Sequence, residues 1–375
     1  MASRRRTNGE GTIYRRRDGR FEAAVVLDGK RQRLVFRSHR DAHAWLIETI
    51  RTHQQGLPLP ARRLSVAAFL REWHVGRRNE IRYSTWLREG QYLERHLLPS
   101  LGKLRLSRLE PLDVKRMQEQ MLTAGASPTS VHHCHGVLHR ALRDAVSWNL
   151  VPRNVAALVA PPRMATTEMK TLNATQAQAL LAAAEGDRLE ALWQLAVTTG
   201  MRSGELLGLR WPDLDLGRGV LHVRSGLVRS ADGLVLAEPK TPHSRRTIAL
   251  GGRDVAALER HRMSQAKERL RAGPIWQELD LVFPDECGRP ISQERLQRKE
   301  LWRLLEDAGL PRMRVHDLRH TAATLMLQAE VNPKVVSERL GHANIAFTLR
   351  VYAHVLPDMQ RQAAQAIETL LLAGT

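Results

Sequence analysis

The sequence predicts a multidomain fold: a small β-meander with one helix, an all-α bundle, and a mainly α domain containing a small antiparallel sheet. Three observations predict this order. Two Asp-Gly pairs separate three short apolar runs near the start of the chain. Roughly ninety-five residues of helical periodicity then follow a Pro-containing segment. After a second Pro-containing segment, strand-like runs lie between stretches of helical pattern.

The first predicted domain covers residues 1–57. Its turns are Asp18-Gly19 and Asp28-Gly29, and Ser38 is placed to cap a helix that runs through Ile50. The first forty residues contain 12 Lys and Arg against 4 Asp and Glu. A basic sheet backed by a helix suits the major groove of DNA. The alternative is a basic hairpin that only adds solubility.

The second predicted domain, residues 63–159, is a bundle of four helices with short connections. Ser84, Pro111 and Ser127-Pro128 mark the starts of the second, third and fourth helices. Residues 160–170 form a second linker. The third predicted domain, residues 172–375, begins with a helix capped by Asn173, contains strands at 219–224 and 227–236, and ends in a tail helix.

Composition indicates the partner and the compartment. The chain has 58 Lys and Arg against 39 Asp and Glu, a net charge of +19, which favours a polyanion such as nucleic acid. An Arg-rich genome that yields a solvated basic surface is the alternative. Two cysteines make no disulfide framework, no apolar run is long enough to span a membrane, and no apolar region follows the basic N-terminus. We expect a cytoplasmic, nucleoid-associated protein.

Basic and imidazole groups gather in the stretch from residue 316 to 352. His316 and Arg319 are three residues apart and share one helix face. His342 follows a glycine placed to end a helix, and Tyr352 comes ten residues later. Arg presents a planar fork of donors to phosphate, and Tyr can form a covalent intermediate. The stretch predicts an anion site beside a nucleophile.

This stretch resembles the second half of the tyrosine recombinase (phage integrase) signature, which runs His-x-x-Arg-His, Leu-Gly-His, then Tyr. The first half, an Arg within Thr-Gly-x-Arg-x-x-Glu, matches residues 199–205. The family's Lys on a β-turn matches Lys240. Four motifs in order are a specific signal over the C-terminal half. The resemblance implies the DNA breaking-rejoining fold, with arm-binding, core-binding and catalytic domains in that order.

The resemblance also implies roles for the matching residues. Arg202 and Arg319 would stabilise phosphate charge, Tyr352 would be the nucleophile, and Lys240 the general acid. His316 is expected as the general base and His342 as a donor to the phosphate, and the sequence leaves these two roles interchangeable. Supporting roles fall to Glu205 and His320. Contacts with DNA are expected from the basic sheet, through Arg15, Arg16, Arg17, Arg20, Arg31 and Arg33.

The expected function is that of an integrase of a prophage or mobile element. Its expected partners are double-stranded DNA at core and arm sites, three further copies in a homotetramer, a DNA-bending host factor and an excisionase, with no metal, cofactor or membrane. The second linker should let the domains close around a duplex. Alternatives are a chromosome-dimer or plasmid resolving recombinase, a type IB topoisomerase, a catalytically inactive DNA-binding regulator, and an RNA-binding protein. Aromatic content of 5% disfavours the last.

Overall fold

A computed structural model describes residues 11–27, 29–54, 64–164, 169–238, 245–342, 344–352, 367–368 and 371–372. The chain divides into two compact units, residues 1–166 and 167–375. Within the described ranges, no helix is both long and apolar enough to cross a bilayer.

The first unit opens with the expected meander and helix. Its antiparallel strands lie in the order β1 (Thr12–Arg15), β2 (Phe21–Leu27) and β3 (Lys30–Phe36). Ser38 Oγ accepts a hydrogen bond from the Asp41 amide at 3.1 Å, and helix α1 (His39–Gln54) extends past the predicted end at Ile50. Alternate β2 residues pack against Trp45 and Leu46 of α1, and we call the sheet face that points away from α1 the open face.

The same unit contains the helical bundle. Its helices are α2 (Val66–Gly76), α3 (Tyr83–Tyr92), α4 (Leu98–Leu101), α5 (Pro111–Thr123) and α6 (Pro128–Ser147). A π-helical turn, Leu93–Leu97, joins α3 to α4. Ser127 caps α6 as predicted, but Arg82 rather than Ser84 precedes the second helix. The buried carboxylate of Glu89, on α3, forms ion pairs with Arg77, which follows α2, at 3.2 Å and with Arg140, on α6, at 3.0 Å.

The second unit is mainly helical around two small sheets. Its helices are α7 (Ala174–Ala183), α8 (Glu190–Thr199), α9 (Ser203–Leu207), α10 (Gly252–Ala272), α11 (Gln293–Arg295), α12 (Trp302–Asp307), α13 (Val315–Gln328), α14 (Pro333–Leu340) and α15 (Ile345–Tyr352). One sheet pairs β4 (Leu214–Asp215), β5 (Val220–Val223) and β8 (Arg246–Ala249). A hairpin pairs β6 (Gly226–Ser230) with β7 (Gly233–Ala237).

That hairpin corrects one expectation. The predicted single strand over 227–236 is wrong, because the chain reverses between Ser230 and Gly233. Gly233 adopts a φ of 113°, which a residue with a Cβ adopts at a cost, and Asp232 donates its amide to Ser230 Oγ at 3.1 Å. Apolar residues on both sides, 227–228 and 234–236, favoured one strand, although the Asp-Gly pair at 232–233 was a local turn signal.

Candidate active site

Two left-handed glycines bring the predicted motifs together in the second unit. Gly200 (φ 64°) ends α8 two residues before Arg202, and Gly341 (φ 69°) ends α14 directly before His342. A Cβ at Gly200 would lie 2.5 Å from a Leu340 methyl, so glycine is needed there for close packing as well as for its φ. The two helix ends therefore approach each other.

Arg319, on α13, lies where these helix ends meet. It is 4% exposed, and its two terminal nitrogens donate to the carbonyls of Gly200 at 2.8 Å and Leu340 at 2.7 Å. Burial, followed by the charge of Arg202, lowers the pKa of Arg319. Because an arginine stays protonated in proteins, the result is a fixed, poorly hydrated cation that attracts an anion.

Arg202 is the more open of the two arginines. It precedes α9, and its side chain donates to Glu205 Oε1 at 2.7 Å and to the Gly341 carbonyl at 3.1 Å. Its side chain keeps 37% of its surface exposed, against 4% for the whole of Arg319. The two guanidinium groups share the backbone around Gly341, so both predicted phosphate ligands belong to one cluster.

Arg246 is a member of this cluster that the sequence analysis missed. Its Nη2 donates to Glu205 Oε2 at 2.9 Å and its Nε to the Arg339 carbonyl at 2.6 Å. Burial alone would raise the pKa of Glu205, but hydrogen bonding and charge from Arg246, then Arg202, outweigh it and lower that pKa. Glu205 is thus an ionised carboxylate that holds two arginines. Nothing in the sequence separated Arg246 from the other arginines near residue 240.

Tyr352 is enclosed among apolar side chains of α13 and α14. It is 1% exposed and packs with Ala323, Val336 and Leu340. Its hydroxyl lies 2.7 Å from Nδ1 of His320. Burial raises the pKa of Tyr352 to about 12 against the opposing charge of Arg319. In the free protein the phenol is therefore protonated at neutral pH.

The histidine that contacts the Tyr352 hydroxyl is not the one predicted to act as the base. His320, expected to support the helix, is the one that contacts the phenol. His316, expected as the base, is exposed, with its ring perpendicular to that of His320 at a centroid distance of 5.0 Å. Removal of water around part of the ring, then the neighbouring His320 and Arg319, lower the pKa of His316.

His342 lies on the arginine side of the cluster. Its Nδ1 is 2.7 Å from Oγ1 of Thr348, a fully buried residue of α15. Burial, then the charges of Arg319 and Arg202, lower the pKa of His342 to about 4. A neutral imidazole held through one nitrogen can present the other to a ligand. Thr348 had no sequence signal, because its role depends on where α15 packs.

The model of the phage integrase family matches residues 170–359, and the model of its N-terminal SAM-like domain matches residues 65–122. The chain belongs to the phage integrase family. This match covers the helix ends, both arginines and the tyrosine described above. Family members of this kind are tyrosine recombinases, enzymes of DNA recombination and integration, so the predicted recognition and enzyme class are confirmed.

Relatives and solved structures agree with this placement. A tyrosine recombinase XerC-like protein of Caldanaerobacter subterraneus subsp. tengcongensis is 30% identical over 75% of this chain and 76% of its own length. An integrase of Streptomyces ambofaciens is 29% identical over 99% of both chains. The Tn1549 transposon integrase, solved with circular intermediate DNA, has a TM-score of 0.70 at 23% identity, covering 81% of this chain and 99% of the other. The predicted fold class is confirmed.

Two predicted parts of this integrase family member lie outside the described residues. Lys240 belongs to the segment between Glu238 and Arg245, which the structure does not describe. Most of the predicted C-terminal tail helix lies outside as well. Within the described part of the chain, no group of three or more His, Cys, Asp or Glu is placed to hold a metal ion.

The six arginines predicted to contact DNA are all exposed on the N-terminal sheet and its turn. Pairing places Arg33 opposite Ala24 and Arg31 opposite Val26, so both lie on the open face, away from α1. Arg15 is opposite Phe21, on the helix-facing side, with its guanidinium 6.0 Å from that ring. The remaining three, at the β1–β2 turn, are Arg16, Arg17 and Arg20.

Proposed function

We propose that this integrase family member integrates and excises a mobile element by cutting and rejoining duplex DNA through a 3′-phosphotyrosyl intermediate. The observation that supports the proposal best is the buried Tyr352 hydroxyl, hydrogen-bonded to His320 beside a cluster in which Arg319 and Arg202 share the carbonyls around Gly341. A nucleophile and a phosphate-charge complement meet there. The full-length likeness to an integrase supports the same function.

In the proposed reaction, the Tyr352 oxygen attacks the scissile phosphorus, and the bond to the 5′-oxygen breaks. The phenolic proton passes to an imidazole. We favour His320 as its first acceptor because Nδ1 already lies 2.7 Å from the hydroxyl, with His316 behind it. Lys240 protonates the leaving 5′-oxygen. The phosphotyrosyl ester conserves the energy of the cut bond, so a 5′-hydroxyl from a second strand reverses the reaction without ATP.

The groups that bind the phosphate would also compensate for the high pKa of the Tyr352 phenol, because they stabilise the transition state. Arg319, Arg202 and His342 would contact the nonbridging oxygens, where charge grows in the transition state. Preorganised donors at this point are worth on the order of 3 kcal/mol each. Glu205 and Arg246 would position these groups rather than touch the phosphate. We assign residues 172–375 to this chemistry and residues 63–159 to the core site.

The assembly follows from the stoichiometry of the reaction. Exchange between two duplexes cuts four strands, and each copy supplies one Tyr352, so the active form would be a homotetramer on DNA. Residues 1–57 would bind arm sites through the open sheet face, with a DNA-bending factor and an excisionase setting direction.

The proposal is tested with a nicked duplex taken from the junction of the element and its host DNA. Strand cleavage releases a short 5′-hydroxyl fragment that diffuses away, which traps the protein on the 3′-phosphate. We expect an adduct that survives denaturation, forms equally in EDTA, and leaves a free 5′-hydroxyl. An adduct on the 5′-phosphate, or cleavage that stops in EDTA, would contradict the proposed chemistry. A flanking tRNA gene with a direct repeat would separate integrase from resolving recombinase.

A further inference from the structure

A polar cleft lies beside the arginine cluster of the candidate active site, and Arg246 belongs to both. It has a volume of about 630 Å³ and lies where the ends of β5 and β7 meet the start of β8. Four of its lining residues are arginines: Arg210, Arg224, Arg245 and Arg246. His222 also lines it, with its Nδ1 engaged by Thr247 Oγ1 at 3.0 Å. The lining is strongly basic.

A buried carboxylate organises two of these arginines. Asp213 is 1% exposed and lies 3.7 Å from Arg210 Nε and 3.7 Å from Arg224 Nη1. Among the described residues, Asp213 Oδ1 and Arg210 Nε are both buried without a hydrogen-bond partner. A carboxylate is costly to bury unless cations surround it. Asp213 therefore attracts both guanidinium groups.

The two guanidinium groups remain accessible to a ligand. The Arg210 and Arg224 side chains keep 39% and 60% of their surface exposed. Arg245 is different, because it pairs with Glu238 at 2.7 Å across the cleft rim. The accessible donors are therefore those of the pair that Asp213 holds. Paired guanidinium forks match the oxygens of a phosphate.

We propose that Arg210 and Arg224, positioned by Asp213, bind a backbone phosphate of the DNA strand next to the scissile phosphate. The inference deepens the proposed function and rests on it. Arg246 connects the two places, since it lines the cleft and also donates to Glu205, which holds Arg202. Successive phosphates along one strand would occupy the arginine cluster and then the cleft. The bound group is a DNA phosphate and not a free anion.

Neutral variants and a salt titration on a random duplex test the proposal without knowledge of the attachment site. Each phosphate contact contributes about 0.9 to the slope of log affinity against log salt. Arg224→Gln should lower the slope by about that amount and weaken binding about tenfold at low salt. Arg271→Gln removes the same charge from the exposed end of α10, outside the cleft, and should change the slope by much less.

For Asp213→Asn, the charge of the protein and the positioning of the arginines predict opposite changes in DNA affinity. The change makes the protein more positive, so charge alone predicts tighter binding to DNA. Positioning predicts weaker binding, by about threefold, because the two guanidinium groups lose their anchor. Melting curves of each variant establish whether it is folded. If Asp213→Asn does not fold, Arg224→Gln still tests the cleft independently.

The outcomes separate the cleft from the proposed function. Equal slopes for wild-type, Arg224→Gln and Arg271→Gln proteins, with normal adduct formation, overturn the cleft proposal alone. The same holds if Arg224→Gln weakens binding of inorganic phosphate but not of duplex, which would indicate a free-anion site. A wild-type protein that binds duplex with no salt dependence overturns both proposals.

Discussion

The candidate active site and the N-terminal sheet are both rich in arginine, but they hold it in opposite ways. In the active site, Arg319 is 4% exposed and fixed by two backbone carbonyls. On the sheet, the arginines are exposed, and Arg20 pairs with Asp18 two residues away, at 2.7 Å. In the active site the Arg319 guanidinium is buried and hydrogen-bonded, whereas on the sheet the guanidinium groups are exposed to solvent.

The difference indicates two uses of positive charge. Desolvated, fixed donors are expensive to bury and act strongly on charge that develops in a reaction. Exposed cations are screened by salt and contribute mainly to affinity and association rate. We therefore expect substitutions in the active site to change the rate of cleavage and substitutions on the sheet to change binding.

The largest effect is expected from Arg319→Lys. Lysine keeps the charge but cannot reach both carbonyls and a phosphate with a planar fork, so single-turnover cleavage of a nicked duplex should slow by about 10²–10³-fold. Affinity for the duplex should change by no more than about threefold, since the net charge is kept. Arg253→Lys, exposed at the start of α10, is the matched control. Cleavage at the control rate would mean that the fixed geometry of Arg319 does not matter.

A smaller and different effect is expected on the sheet. Changing Arg31 and Arg33 together to Gln should weaken binding to an arm-site duplex about tenfold and lower its salt slope by about 1.8, while adduct formation on a core duplex stays the same. Arg15→Gln, on the helix-facing side, should have less effect than either open-face change. If Arg15 proved as important as Arg33, the open face would not be the binding surface.

The smallest predicted effect concerns stability and pH. The pKa of His342 is lowered to about 4 in the folded state. Between the ordinary histidine pKa and this value, the imidazole is protonated in the unfolded chain but not in the folded protein. The free energy of unfolding therefore falls as the pH drops through this window. Between pH 6.5 and 5, His342→Gln should lose about 1 kcal/mol less unfolding free energy than the wild type. His133→Gln, exposed on α6, should follow the wild type in urea titrations at the two pH values. Parallel behaviour of all three proteins would exclude a lowered pKa at His342.

Much of the molecule was predictable from local signals. Asp-Gly turns and Ser38 predicted the sheet and helix, and Gly341 predicted the end of α14. Within one unit, Arg202 and Arg319 donate to the backbone at the ends of α14 and α8, and Tyr352 contacts His320. These features depend on turn chemistry, capping and spacing, all of which are encoded within a few residues.

What the sequence did not predict depends on contacts between distant segments. Arg246 joins the cluster because β8 brings it to Glu205, which is 41 residues away. His320, and not His316, reaches the phenol because of how α15 lies on α13, 32 residues apart at this contact. Spacing along a helix places His316 and Arg319 on one face, but it does not decide which neighbouring histidine faces a residue from another helix.

The account depends most on Tyr352, and Tyr352→Phe tests it most directly. The change removes one hydroxyl and keeps the ring among Ala323, Val336 and Leu340, so folding and duplex affinity should match the wild type. The measurement is adduct formation on the nicked duplex, with binding to the same duplex measured in parallel. We predict normal binding and no adduct. Tyr14, Tyr83 and Tyr92, the other tyrosines, all belong to the first unit, so an adduct that persists in Tyr352→Phe would contradict the proposed mechanism.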